Sequence, residues 1–152
     1  MFNLIVMVGI AGSGKTTYAE DWIERHPDYC LIATDSIREE IYGDASIQDN
    51  ARRIFRIAHE RLRQRLELGQ SVIFDATSLT KKARKALLDI ANEYPYVRKI
   101  ACFIDTPIPI CIARQAMRAR KVPEDVIRRQ GARLEVPQEA EGFDKVWIHT
   151  TT

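Results

Sequence analysis

Gly9, Gly14, Lys15 and Thr16 fill the fixed positions of the pattern G-x-x-x-x-G-K-[ST] within the run GIAGSGKTT. The chemistry of that spacing is phosphate binding. Glycines let backbone amides converge on phosphate oxygens with no Cβ in the way, and Gly12, Ser13 and Thr17 add further groups to the same turn. A helix opening near Lys15 directs the positive end of its dipole at the same point. The Lys15 ammonium neutralises charge on the β/γ-phosphates, and the Thr16 hydroxyl is a Mg²⁺ ligand type. A chance Gly-rich turn would lack the strand before and the helix after. Here Phe2–Val8 is an apolar run and residues 15–25 have a helical pattern. The residues imply a nucleoside triphosphate, ATP or another NTP, with Mg²⁺.

Two carboxylates end apolar runs further along. Asp75 closes SVIFD, and ligands of open α/β sheets bind outside strand carboxyl ends, where an acid can hold Mg²⁺ or its water shell. Its competing use is to cap the next helix, a task that Thr80 can also perform. Asp35 follows the run Leu31–Thr34, with Arg38 one helical turn on. Ser36-Ile37-Arg38-Glu39 reads as a capping box with Ser36 as the N-cap, which would leave Asp35 at a strand end. There a carboxylate can accept a proton from an attacking hydroxyl, and a guanidinium can grip an anionic acceptor. The plainer alternative is a capping Asp with a surface Arg.

Arg114 and Arg118 are spaced to share one helix face, with Arg120 and Lys121 after them and Pro123 ending the pattern. Arginines on a mobile segment stabilise the charge of a moving phosphoryl group. A solvated helical face is the alternative. In the long helical pattern at 47–68, Arg52, Arg56, His59 and Arg63 fall on the side opposite Ile54, Phe55, Ala58 and Leu62. That stripe suits either phosphate tracking or simple solvation.

The elements that must position these groups alternate. Strands are predicted at Phe2–Val8, Tyr29–Ala33, Ser71–Asp75, Val97–Ile104 and Lys145–His149, the last being the weakest. Helices are predicted at 15–25, 36–42, 47–68, 80–93, 107–119 and 123–134. Gly69 marks a helix stop, and Pro107 and Pro123 suit first turns. Such alternation predicts an α/β fold with a parallel sheet of about five strands and helices on both faces. At 152 residues the chain is read as one domain, 1–152.

Charge is distributed unevenly: residues 1–50 hold 3 basic and 9 acidic side chains, and residues 51–100 hold 12 and 5. Net charge of +2 does not by itself imply nucleic acid. Cys30, Cys102 and Cys111 are widely spaced, which suggests reduced, structural thiols. No leader and no apolar stretch of about 20 residues is visible, so the sequence predicts a cytoplasmic protein without membrane attachment. The absence of N-K-x-D argues against a GTPase. A motor or AAA-type ATPase normally exceeds this length. A small phosphotransferase is what remains.

From Phe2 to about Leu134 the chain resembles the kinase module of 5′-hydroxyl polynucleotide kinases, within the wider group of small P-loop phosphotransferases. The resemblance rests on GIAGSGKTT, Asp35-x-x-Arg38, VIFDATSL, and Arg114-x-x-x-Arg118 followed by VPEDV. It implies a P-loop kinase-type three-layer fold with an arginine-bearing lid at about 114–122. It also implies Lys15 and Thr16 on ATP and Mg²⁺, and Asp35 as general base. Arg38 would lie on an acceptor phosphate, and Arg114 and Arg118 on the transferring phosphates. Thr77, Val122 and Val126 match acceptor-nucleotide contacts. Phage-type members carry a carboxylate where this chain has Ala76, whereas Asp75 matches other relatives. The expected activity is transfer of the γ-phosphoryl group to the 5′-hydroxyl of a DNA or RNA end. The rivals are a small-metabolite kinase acting on a sugar acid or an antibiotic, and a nucleotide-controlled binding module without transfer.

Overall fold

β1 (Phe2–Val8) shows how the core is divided: Leu4, Val6 and Val8 point to one face of the sheet, and Ile5 and Met7 to the other. All five are inaccessible to solvent, as a central strand covered on both sides requires. In this computed structural model, which describes residues 2–43, 51–119 and 121–151, β1 is joined by four more strands. They are β2 (Cys30–Ala33), β3 (Val72–Asp75), β4 (Val97–Asp105) and β5 (Lys145–Thr150), all parallel, in the order β2-β3-β1-β4-β5. The predicted parallel α/β sheet is therefore the observed one.

The helices are α1 (Lys15–Arg25), α2 (Thr34–Tyr42), α3 (Ala51–Glu67), α4 (Lys81–Ala91), α5 (Ile108–Ala116) and α6 (Glu124–Arg133). The predicted start of the third helix at 47 lies outside the described residues. α3 and α4 cover one face through Ile54, Ala58, Leu62, Leu87 and Leu88. α1 covers the other through Ala19, Tyr18 and Trp22. α3 turns an apolar stripe to the core; of the predicted basic stripe, Arg52 and Arg56 are exposed, whereas His59 and Arg63 are half-buried and the His59 ring packs beside Phe55 and Phe74 rather than opposite the apolar side. Cys30, Cys102 and Cys111 are free thiols, and burial pushes that of Cys102 up to about 12. No helix among the described residues is long and apolar enough to cross a membrane.

Two boundaries differ from expectation. α2 begins at Thr34 with Ala33 as its N-cap and no side-chain cap, so Ser36 is not the cap. The β2 chain turns directly into the helix, and Asp35 sits in its first turn, where a carboxylate is favoured by the exposed amides and the dipole. α5 ends at Ala116 rather than 119. The Arg118 amide bonds the Gln115 carbonyl at 3.1 Å, a tightened last turn, and the Gln115 side chain accepts the Val122 amide at 3.1 Å. Arg118 thus lies beyond the helix and does not share a helical face with Arg114.

A buried ion pair braces the loop after β3. Arg84 of α4 is wholly buried and donates from Nε and Nη2 to the two carboxylate oxygens of Glu141, at 2.7 and 2.9 Å. Its Nη1 donates to the Ser78 carbonyl at 2.9 Å. Ser78 has φ +47°, a left-handed conformation that is uncommon for a side-chain-bearing residue. Thr80 caps α4 by accepting from the Ala83 amide at 3.2 Å, so Asp75 is free of that duty.

Candidate functional site

The turn after β1 is built to leave its amides open. α1 begins at Lys15 behind Gly14, with no side-chain cap and no acid in its first turn. Its first N–H groups therefore lack intrahelical partners and make an anion site with the dipole. Ser13 N–H closes onto the Ile10 carbonyl at 3.1 Å, and Gly9 N–H onto the Thr77 carbonyl at 3.2 Å. The turn is held from outside by several side chains. Arg114 Nη1 donates to the Ser13 and Gly12 carbonyls at 3.1 and 3.3 Å, and Thr106 Oγ1 donates to Ser13 at 2.8 Å. Gln130 of α6 accepts the Ala11 amide at 2.8 Å.

Gly12 shows how tight this is. Its φ is +82°, and a Cβ there would lie 2.6 Å from the Cys111 carbonyl oxygen in α5. Both the conformation and the contact exclude a side chain. Gly12→Ala is expected to abolish nucleotide binding, with a melting temperature several degrees lower; unchanged binding by calorimetry would show that the turn relaxes freely.

Asp75 stands under the turn. Thr16 Oγ1 donates to its Oδ2 at 2.8 Å, and Lys15 Nζ lies 3.7 Å from its Oδ1. That Oδ1 is buried yet has no hydrogen-bond partner, since an ion pair at this distance is too long to be one. An orphaned carboxylate oxygen beside a hydroxyl, facing a phosphate cradle, is the donor set of a Mg²⁺ that takes its remaining ligands from phosphates and water. The residues present fit that ion. Among the described residues no cluster of three or more His, Cys, Asp or Glu offers an all-protein cation site.

These groups open on one cleft of about 870 Å³, within the range of ligand sites. Its lining includes Gly12 through Thr17, Asp75, Arg114, Arg118 and Val122. Asp35 lines it too, its side chain 59% exposed, at the end of β2. Three strand ends, of β1, β2 and β3, therefore meet there.

Other predicted site residues are placed differently. Arg38 is buried and does not line the cleft; its Nη1 donates to Asp35 Oδ1 at 3.1 Å, and its buried Nε has no partner. Gly9 serves the turn from behind. Thr77 lines a neighbouring groove, and Val126 of α6 is half-buried and lines neither concavity. Arg120 lies outside the described residues. Thr106, Gln115 and Gln130 were not anticipated. Thr106 stands directly after β4, so the strand-end argument that found Asp75 applies to it; the two glutamines have no local signature. Tyr18 and His149, which also line the cleft, pack ring against ring at 4.9 Å.

Parallel sheet order, P-loop, strand-end acid and cleft define a nucleotide-binding P-loop domain of kinase type. The chain belongs to the AAA domain family AAA_33, whose pattern matches residues 4–137. The family carries the AAA name that chain length argued against. Its domain fits within those residues, and length is no guide to membership. L-seryl-tRNA(Sec) kinase of Methanococcus maripaludis is 25% identical over 139 residues, which is 88% of this chain and 53% of that protein. The chain thus spans about half the length of that curated relative. Among solved structures, the Pnkp1/Rnl/Hen1 RNA repair complex has a chain that superposes with a TM-score of 0.78 at 21% identity, covering 88% of this chain and 44% of its own. A gluconokinase from Sinorhizobium meliloti 1021 gives 0.68 at 20% identity, covering 97% and 82%. At such identities these two share the fold.

Proposed function

We propose that this chain is a Mg²⁺- and ATP-dependent kinase that phosphorylates the 5′-hydroxyl of a DNA or RNA end. The observation that carries the reading is the Asp35 carboxylate, which opens on the same cleft as the phosphate turn and is gripped by Arg38 at 3.1 Å. A nucleotide switch has no use for a steered base opposite its phosphates.

In the proposed reaction Asp35 orients the acceptor hydroxyl and takes its proton as the oxygen attacks the γ-phosphorus and the bond to the β-phosphate oxygen breaks. Lys15, Arg114 and Arg118 stabilise the charge on the moving group, with the segment 114–122 acting as a lid. Thr16 and Asp75 would hold Mg²⁺, which would supply charge neutralisation at the triphosphate. The resemblance carried by the Asp35-x-x-Arg38 and lid motifs supports a polynucleotide acceptor, and the curated relative is named for a tRNA-linked substrate. A small-metabolite kinase is the second reading, favoured by the gluconokinase superposition over 97% of this chain and 82% of that one.

The test is incubation with γ-labelled ATP, 5′-hydroxyl DNA and RNA oligonucleotides, and a panel of sugar acids and aminoglycosides. Label on the oligonucleotide 5′ end is expected. Label on a small alcohol alone would replace this acceptor with the second reading, and ATP binding with no labelled acceptor would remove transfer altogether.

Arg38 offers a sharper discrimination. Because it holds Asp35, Arg38→Ala should lower kcat with ATP affinity intact. A rise in acceptor KM with kcat unchanged would restore the direct phosphate contact that the resemblance implies.

A further inference from the structure

Beside the nucleotide cleft lies a groove of about 440 Å³ between α3, α4 and the loop after β3. Its inner wall is aromatic. His59 stands 6.2 Å from the Phe55 ring and 6.4 Å from that of Phe74. Burial, and then the Arg63 charge, hold His59 below its ordinary value, so at neutral pH it presents an uncharged ring. The opposite wall is Ala83 and Ala86 of α4, whose single methyl groups leave the slot open.

The mouth is cationic. Lys82 and Arg133 line it, both exposed, and among the described residues neither has a carboxylate partner. Their helical neighbours behave otherwise: Lys85 pairs with Asp89, Arg128 with Glu124 and Arg129 with Asp125. The two cations at the groove are thus left uncompensated, as is Lys81 at the start of α4, while the other exposed charges of both helices are matched.

The groove also adjoins the site. Phe74 lines it, while the next residue, Asp75, lines the nucleotide cleft. Thr77 lines it while its carbonyl holds Gly9 of the phosphate turn. A mainly apolar groove with aromatic lining and two unmatched cations suits a base with flanking phosphates: rings stack on aromatic side chains, and phosphates displace counterions from Lys and Arg. We propose that this groove docks a nucleotide of the acceptor strand beyond the 5′-terminal one, its base against Phe55 and His59 and its phosphates on Lys82 and Arg133. The proposal rests on the polynucleotide reading above.

The test uses the full chain, a Lys82→Ala/Arg133→Ala variant, a single-stranded 5′-hydroxyl oligonucleotide and a nucleoside 3′-monophosphate as minimal acceptor. Removing two phosphate contacts should reduce the slope of log affinity against log salt by about 1.4. Oligonucleotide KM should rise about tenfold, with ATP affinity and turnover of the minimal acceptor unchanged. An abasic site at the second or third nucleotide should weaken binding to the unaltered protein about tenfold, a readout that needs no variant to fold. Transfer to oligonucleotides with unchanged salt slope and no abasic effect would overturn the groove and leave the kinase reading standing. Neither binding nor phosphorylation of any oligonucleotide would overturn both.

Discussion

Asp35→Asn is expected to lower kcat for phosphoryl transfer by about 10²- to 10⁴-fold, the usual worth of a positioned general base. The change is isosteric. The amide oxygen still accepts from Arg38, so the side chain keeps its place at the mouth of β2, but it no longer takes a proton at neutral pH. Fold and nucleotide affinity should survive. The carboxylate is more than half exposed, and its helix-dipole contribution in the first turn of α2 is about 0.3–1 kcal/mol. The Asp35 side chain lines the cleft and accepts from Arg38 at 3.1 Å. Steady-state kinetics with an ATP titration by calorimetry separate the outcomes. A kcat loss at constant ATP affinity assigns Asp35 to the acceptor. Loss of ATP binding, or a fall in melting temperature of the same size as for a core substitution, assigns it to structure.

Arg84→Met carries the largest expected effect on stability. It leaves Glu141 buried with no cation and the Ser78 carbonyl without its donor. Breaking a buried pair from one side costs about 3–5 kcal/mol, which for a chain of this size lowers the melting temperature by about 10 °C. Replacing both partners, Arg84→Met with Glu141→Leu, should recover much of that loss, because the desolvation cost of the orphaned charge disappears with it. The exposed pair Arg128–Glu124 makes the control: Arg128→Ala should change stability by less than about 1 kcal/mol. Urea titrations of the three variants and the unaltered protein measure the contrast. Equal effects at Arg84 and Arg128 would mean that the loop carrying Ser78 is held by other contacts.

The phosphate turn was legible because its parts are local. Glycines, lysine and threonine at fixed spacing dictate a backbone conformation that forms within a single strand-turn-helix unit. The five strands and their parallel arrangement were legible for a similar reason: β1 and β3 are apolar on both faces, which only a doubly covered sheet accommodates. Asp75 followed from its position at a strand end.

Arg38 shows where that reasoning stops. Its spacing from Asp35 was visible, but whether the guanidinium reaches out to a ligand or folds back onto the carboxylate depends on how α2 docks on α3. The start of α2 was misread because a capping box is a local preference, and the turn of the chain out of β2 overrode it. Arg118 left the face of Arg114 because Gln115 bonds the Val122 amide, a contact with no signature in sequence. Gln130 on the Ala11 amide and Arg84 on Glu141 join residues more than fifty positions apart. Sequence alone determined what can bind phosphate and on what kind of sheet. Tertiary packing decided which side chains stand free in the cleft and which hold it in shape, because burial and distance between elements exist only once the helices have docked.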